Sequence, residues 1–466
     1  MKKILTLLLV IVAAFSLAAC GDNATTVTFW HTMGKTTNPS EGGQALLEKF
    51  IKEFEAENPG VKIKHESKGS YDDLASAVSK ALVAGNQPTM SYSYTDHVAA
   101  YLRTNKVQPL DELINHPEYG LTEEQIADYV PAFLDEGRVF DTAGTLYSLP
   151  FSKSTEVMFY NKKFLKANNI TELDGNKDGE YVILTWEEAE ALSKKINASG
   201  NLVSGYEATF GYDSSNNHYI TASAQGKIPY TGLPTDTSNG VLFNNDQAKA
   251  MVGYFKTLYD NDHFTTKDML GGSNTSNFFL KEQIIFSIGS TGGTKYNIPA
   301  ENGLFDPSDV GIAPIPFYGA KADLADYKVI QQGPNINLFK KADQNEVIAA
   351  WKFLKYITEA EQQAQWSMAT GYSPVRLSTY DVPSYADYLD VSKLDLTTFA
   401  GRRQQVFIEV LKAAQYLSEQ NYFFVSPAFN KSSKARAEVG NILKFVFGGT
   451  KTVQKAFQDS YDATVY

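Results

Sequence analysis

Residues 149–162 read LPFSKSTEVMFYNK. An apolar, aromatic strand pattern runs into four polar residues, Ser152-Lys153-Ser154-Thr155, and resumes through Tyr160-Asn161. A buried strand carries three hydroxyls and an ammonium side by side only where something meets them, because an unpartnered polar group out of water is costly. The stretch also divides the patterning of the chain. Strand and helix signals alternate before it, and helices dominate after it.

Upstream, TTVTFWHTMG alternates as a strand. EGGQALLEKFIKEFEAENPG sets Leu46, Leu47, Phe50, Ile51 and Phe54 on one helical face and stops at Asn58-Pro59-Gly60. VKIKHES, SYDDLASAVSKALVAGN and PTMSYSYTDHVAAYL continue as strand, helix, and strand running into helix, which predicts a parallel α/β sheet. Downstream, WEEAEALSKKI, NDQAKAMVGYFKTLYDNDHF and NEVIAAWKFLKYITEAEQQAQWSM read as helices. The strand-like EQIIFSIGSTGG, DVGIAPIPF and YKVIQQGPNINLF lie between them, and the last quarter is helical. With 466 residues the chain is about three times the usual domain size. These patterns predict an α/β protein of two lobes, with the chain crossing between them more than once and a cleft at the carboxyl ends of the strands. The expected division is 26–148 and 290–333 in the first lobe, 149–289 and 334–466 in the second.

The chain begins MKKILTLLLVIVAAFSLAAC, whose two lysines, short apolar run and small residues read as a secretory leader over 1–19 rather than a membrane span. Cys20 is the only cysteine, so no internal disulfide is available. Leu17-Ala18-Ala19-Cys20-Gly21 resembles the bacterial lipobox, which implies lipidation of Cys20, a tether over 20–25 and residence on the outer face of the cytoplasmic membrane. Loss of Lys2 and Lys3 with the leader takes the formal charge from −11 to −13. Such a surface repels nucleic acid and anionic headgroups, so nucleic acid is not an expected partner, and any anion must be held by local geometry.

Nothing points to catalysis. His31, His65, His97, His116, His218 and His263 are scattered without metal-ligand spacing, and there is no Gly-x-Ser-x-Gly elbow, P-loop or dinucleotide fingerprint. Carboxylate pairs of the glycosidase kind need not be close in sequence, so a surface glycosidase or an adhesin stays as a rival class. One metal motif stands out. In DGNKDGEY, Asp174, Asn176, Asp178 and Glu180 match the first half of a calcium loop, with Gly179 at the turn. Position twelve is Thr185, so Glu187 or Glu188 would have to close a structural calcium cage. Thr185 and Glu188 read equally as a helix capping box. No other cofactor is expected.

In their order and spacing, FWHTM, KGSYDD, GNQP, LPFSKSTEVMFYNK, TWEEAEAL, GSTGG, ATGYSPV and SSKARAEV with FGGTKTVQKAF resemble the extracellular solute-binding proteins of bacterial ABC importers. The resemblance covers essentially all of residues 26–466 and is nearest the glycerol-3-phosphate-binding branch. It implies a monomeric receptor that captures a small molecule by lobe closure and delivers it to a permease driven by an ATPase. It carries over ligand contacts at Tyr71, Ser154, Ser290, Gly333, Tyr372 and Arg436, and, with a shift of one residue, a carboxylate at Asp96.

The chemistry of those residues is consistent with that implication. Arg436 offers a forked cation for a phosphate, and Asp96 an acceptor for two hydroxyls. The amides of GSTGG would form an anion nest if they open a helix, and Tyr71 stands at a second helix start. Ser154, with Lys153, would meet the phosphate at the crossing between lobes. Each residue also has a plainer use. Ser154 and Ser290 suit turns, Tyr372 suits packing, Arg436 a surface ion pair, and Asp96 the first turn of a helix. Trp30 and His31 read as strand packing. One departure concerns EATFGYDSSNNHYITASAQG, where the branch commonly has tryptophan and this chain has Tyr212, Asp213 and Asn217. The cargo is therefore open among glycerol-3-phosphate, another polyol phosphate, a glycerophosphodiester and an oligosaccharide.

Overall fold

A computed structural model describes residues 24–34, 42–176, 180–235 and 237–466. Along the chain the strands are β1 (Thr25–His31), β2 (Val61–Ser67), β3 (Met90–Ser93), β4 (Ser148–Pro150), β5 (Glu156–Asn161), β6 (Ala208–Tyr212) and β7 (Phe264–Thr266). They continue as β8 (Ile284–Ser290), β9 (Val310–Ala313), β10 (Val329–Ile330), β11 (Asn335–Leu338) and β12 (Phe423–Phe424). Two five-stranded sheets result, ordered β2-β1-β3-β11-β4 and β7-β6-β8-β5-β9. Each is the centre of one α/β lobe.

The first sheet follows from its local patterns. β1 pairs in parallel with β2 and β3, as strand–helix–strand spacing requires. The helix Gly43–Glu57 buries Leu47, Phe50, Ile51 and Phe54. The helix Tyr71–Ala84 starts with a capping box in which Ser70 and Asp73 satisfy each other's backbone amides, and ends at left-handed Gly85. In the second sheet β6 runs parallel to β7 and β8, whereas β5 is antiparallel to both β8 and β9.

The expected division into lobes needs correction in two segments. Residues 290–333 were expected in the first lobe, yet β9 pairs with β5 at the edge of the second sheet. Residues 334–466 were expected wholly in the second, yet β11 inserts between β3 and β4 of the first sheet. The helices Gln344–Ile357 and Ala360–Thr370 follow β11 onto the first lobe, packing on β1 and on Gly43–Glu57. Only the helices from Phe399 onward return to the second lobe, where Phe399–Glu419 packs on β9 and Ser432–Phe447 on the helix Ser215–Gln225. The cause is strand pairing. Strands as short as VGIA and NINL carry no local mark of which sheet receives them.

Three chain segments cross between the lobes, and they lie side by side. Ser154 exchanges backbone hydrogen bonds with Gln332, N to O at 2.9 Å and 2.7 Å, while Ser373 N donates to Lys153 O at 2.7 Å. Ser152 N donates to Pro334 O at 3.3 Å. Gly333 makes this approach possible. Its φ is +90°, and a Cβ there would stand 1.8 Å from Ser152 O. Gly333→Ala is expected to cost about 2 kcal/mol or more in urea unfolding, since both the backbone and Ser152 would have to move. Wild-type stability in that variant would refute the crossing geometry.

Candidate functional site

The four polar residues of the central stretch divide their contacts between the lobes. Ser152 Oγ accepts from Trp366 Nε1 at 3.0 Å and lies 3.4 Å from Tyr92 Oη, both in the first lobe. Lys153, fully buried, donates from Nζ to Glu136 Oε2 at 2.5 Å, Gly333 O at 3.0 Å and Asn335 Oδ1 at 3.2 Å. Ser154 Oγ accepts from Ser290 Oγ at 3.2 Å. Thr155 Oγ1 donates to Ile330 O at 3.0 Å, and its N–H donates to Thr291 Oγ1 at 3.3 Å. Lys153 is thus a cross-linking group of the crossing and not a phosphate contact. Burial pulls its pKa below the usual lysine range, and Glu136 acts against that.

A cavity of about 350 Å³ opens beside the crossing, with Tyr71, Tyr94 and Asp96 on its first-lobe wall and Asn217 and Arg436 on its second-lobe wall. Gln332 of the crossing joins the two walls. Tyr94, Asp96, Gln332 and Arg436 also border a smaller adjoining chamber of about 40 Å³, lined further by Glu136 and Tyr230 among others. Each side chain is aimed by the start of a helix or by a face of one. Tyr71 opens Tyr71–Ala84, and Asp96 lies in the first turn of Thr95–Leu102, where its Oδ1 accepts from His97 N at 3.0 Å. Asn217 is in the first turn of Ser215–Gln225, and Arg436 lies one turn into Ser432–Phe447.

Tyr71, Asp96 and Arg436 therefore come together. Ser154, Ser290, Gly333 and Tyr372 stand outside this cavity's wall, next to it at the crossing. Tyr372 hydrogen-bonds Tyr71 and lies over Gly292. Tyr71 and Tyr94 pack at 4.8 Å between ring centroids. Burial raises the pKa of Tyr71, Tyr94 and Tyr372, so all three phenols remain neutral donors at physiological pH.

The expected anion nest at GSTGG is not open. After β8 the chain makes a six-residue 3₁₀ turn, Thr291–Tyr296, in which Thr291 N donates to Thr155 O and Gly292 N to Ser290 Oγ. Trp30 and His31 behave as strand packing. Lys68 Nζ sits 4.0 Å from the Trp30 ring centroid, and His31 is fully buried against His65. Burial, then His65, lowers the His31 pKa to about 3.

The residues that sequence reasoning missed are Tyr94, Gln332 and Glu156, and it noted Asn217 only as part of an altered wall. Arg436 Nη2 donates to Asn217 Oδ1, and no carboxylate pairs with the guanidinium among the described residues. The signal for Tyr94 and Gln332 was adjacency to motif residues, in YTDH and QGPN.

The metal motif is only partly within the described residues. Asp178 and Gly179 lie outside the described residues, as does Cys20. Asn176 Oδ1 accepts from Val182 N at 2.6 Å. Glu188 completes a capping box with Thr185 and pairs with Lys321 at 3.0 Å. Among the described residues no group of three His, Cys, Asp or Glu side chains is placed to hold a metal ion. Asn176 and Glu188 are thus engaged with Val182 and with Thr185 and Lys321.

The sequence profile of the bacterial extracellular solute-binding proteins matches residues 49–392. The chain belongs to this family. It is 27% identical over 378 residues to the sn-glycerol-3-phosphate-binding periplasmic protein UgpB of Escherichia coli K12, covering 79% of each chain. Similarity to the same-named protein of Shigella dysenteriae is 27% over 380 residues, again with 79% of each covered. Among solved structures, UgpB of Mycobacterium tuberculosis in complex with glycerophosphocholine superposes with a TM-score of 0.68 at 17% identity, covering 94% of this chain and 97% of that one. The GacH receptor of Streptomyces glaucescens, solved unliganded and with acarbose, gives 0.66 at 20% identity over the same shares. The chain is an ABC-importer solute-binding protein near UgpB, with the two-lobe fold of these receptors. No helix among the described residues is long and apolar enough to cross a membrane.

The crossing makes one demand that is independent of cargo. Lys153→Ala leaves Glu136 buried at 3% exposure without its cation, and is expected to destabilise by roughly 3–5 kcal/mol in chemical unfolding. A loss below about 1 kcal/mol would contradict this account of the ammonium.

Proposed function

We propose that this protein is a lipid-tethered receptor, anchored through Cys20, that captures glycerol-3-phosphate or a closely related phosphorylated polyol or glycerophosphodiester and delivers it, as a monomer, to a permease and its ATPase. The observation that carries this reading is Arg436, held at the cavity wall by Asn217 and free of any carboxylate partner among the described residues. A guanidinium so placed offers two parallel N–H donors to an oxyanion. Across the cavity Asp96 supplies an acceptor for hydroxyls, and Tyr71 and Tyr94 supply neutral donors and ring faces. Cargo with a phosphate at one end and a polyol at the other meets complementary groups from both lobes, so closure is favoured only when it is present. The relatives named for glycerol-3-phosphate support the same cargo.

A second reading rests on the aromatic content of the same place. Tyr71, Tyr94 and Tyr230 border the cavity and its adjoining chamber beside a carboxylate, which suits an oligosaccharide, and several receptors of this fold were solved with sugars. The two separate by calorimetry with Arg436→Ala. Phosphate esters should lose roughly 2–5 kcal/mol of binding free energy, while a neutral maltooligosaccharide should be little affected. Binding of maltotriose with no heat from any phosphate ester would reject the phosphorylated cargo.

A further inference from the structure

Glu156 follows directly on the polar quartet, at the first position of β5 opposite Ser290, and is 2% exposed. Its Oε1 accepts from Asn217 Nδ2 at 2.7 Å, and its Oε2 accepts from Tyr212 Oη. An amide has one donor end and one acceptor end. With Nδ2 fixed on the carboxylate, Asn217 Oδ1 turns to the cavity, where it accepts from Arg436 Nη2 and, at 3.4 Å, from Gln332 Nε2. Glu156 thereby determines which end of Asn217 the guanidinium meets.

This chain of contacts tolerates either charge state of Glu156. Protonated, Oε2 donates to the Tyr212 hydroxyl oxygen while Oε1 still accepts from Asn217, so geometry is kept and only charge changes. The groups acting on the carboxyl come from several elements: Tyr212 on β6, Asp213 just after it, Asn217 and Arg436 on their helices, and Tyr327 before β10. Burial raises the Glu156 pKa to about 7. Tyr212, Asn217 and Arg436 oppose that shift, and Asp213 adds to it.

We propose that Glu156 is a positioning residue whose protonation is coupled to anion capture: an anionic ligand arriving at Arg436 is accompanied by uptake of a proton from solvent onto Glu156. Before capture the guanidinium is balanced, through the Asn217 amide, by a buried carboxylate. After capture it is balanced by the ligand's oxyanion, and the proton on Glu156 removes the second negative charge from a closed, poorly solvated cleft. The proposal rests on reading the cleft as an anion site, and it adds a pH dependence that reading does not require.

The test uses glycerophosphocholine, whose phosphodiester keeps a single charge across the range, and calorimetry at pH 7 in two buffers of different ionisation enthalpy. Wild type should take up a fraction of a proton on binding and should bind at least about fivefold more weakly at pH 8 than at pH 6. Glu156→Gln, which keeps both hydrogen bonds, should show no proton uptake and a flat pH profile. Equal weakening of Glu156→Gln at every pH, without proton uptake in wild type, would overturn the coupling and leave a purely structural role. The free protein gives a second measurement that needs no ligand. Because the folded state holds this proton between its ordinary value of 4.5 and about 7, wild-type Tm relative to Glu156→Gln should fall as pH rises through that window. Arg436→Ala should move the midpoint of that fall to higher pH. Should no phosphate ester bind, the cargo reading fails and this titration decides alone: an unmoved midpoint would overturn the link between positions 156 and 436.

Discussion

The ammonium of Lys153 ties the three crossings into one unit. Nζ reaches Glu136 from the first lobe, the carbonyl of Gly333 and the amide oxygen of Asn335 from the second crossing, while the Lys153 backbone carbonyl receives Ser373 from the third. A buried ion pair contributes little net stability compared with apolar packing of the same volume, but its geometry is demanding, because every donor must find an acceptor. That demand fixes the register of segments whose local sequence would allow others. Ser152 and Thr155, on either side, attach the unit to Trp366 in one lobe and to Ile330 and Thr291 beside the other. The lobes hang from this point, so the separation between Asp96 and Arg436 is set there.

Much of the fold was legible because it is local. The β1–β3 succession, the apolar face of Gly43–Glu57 and the capping boxes at Ser70 and Thr185 follow from periodicity and from short-range hydrogen bonds. Sheet membership was not legible for β9 and β11, since pairing partners lie more than a hundred residues away and both strands are only four residues long. The site shows the same division. Arg436, Asp96 and Tyr71 carry chemistry in their side chains and could be singled out as residue types. Asn217 and Gln332 are useful only through the direction their amides face, which tertiary contacts decide. Lys153 was misassigned for a related reason. Its partner Glu136 sits in FLDEGR, and nothing in that segment reveals that the carboxylate is turned inward.

A chain with a formal charge of −11 is a poor general attractor of anions, so the proposed anionic cargo has to be held by groups of the cleft itself. Charges farther than the Debye length, about 8–10 Å at ordinary ionic strength, are screened at the open surface. Inside the cleft the balance is set by a few groups: Arg436 on one wall, Asp96 opposite, and Glu156 one amide behind the guanidinium. With both carboxylates ionised and the cleft empty, the local charge is already one unit negative, so an incoming anion adds to an unfavourable sum unless one carboxylate changes state. Asp96 borders the opening and accepts from His97 N. Glu156 is enclosed, and its hydrogen bonds survive protonation. On the proposed reading of an anionic cargo, the buried carboxyl is the group placed to give up its charge, so the second lobe would hold the anion and the first the hydroxyls.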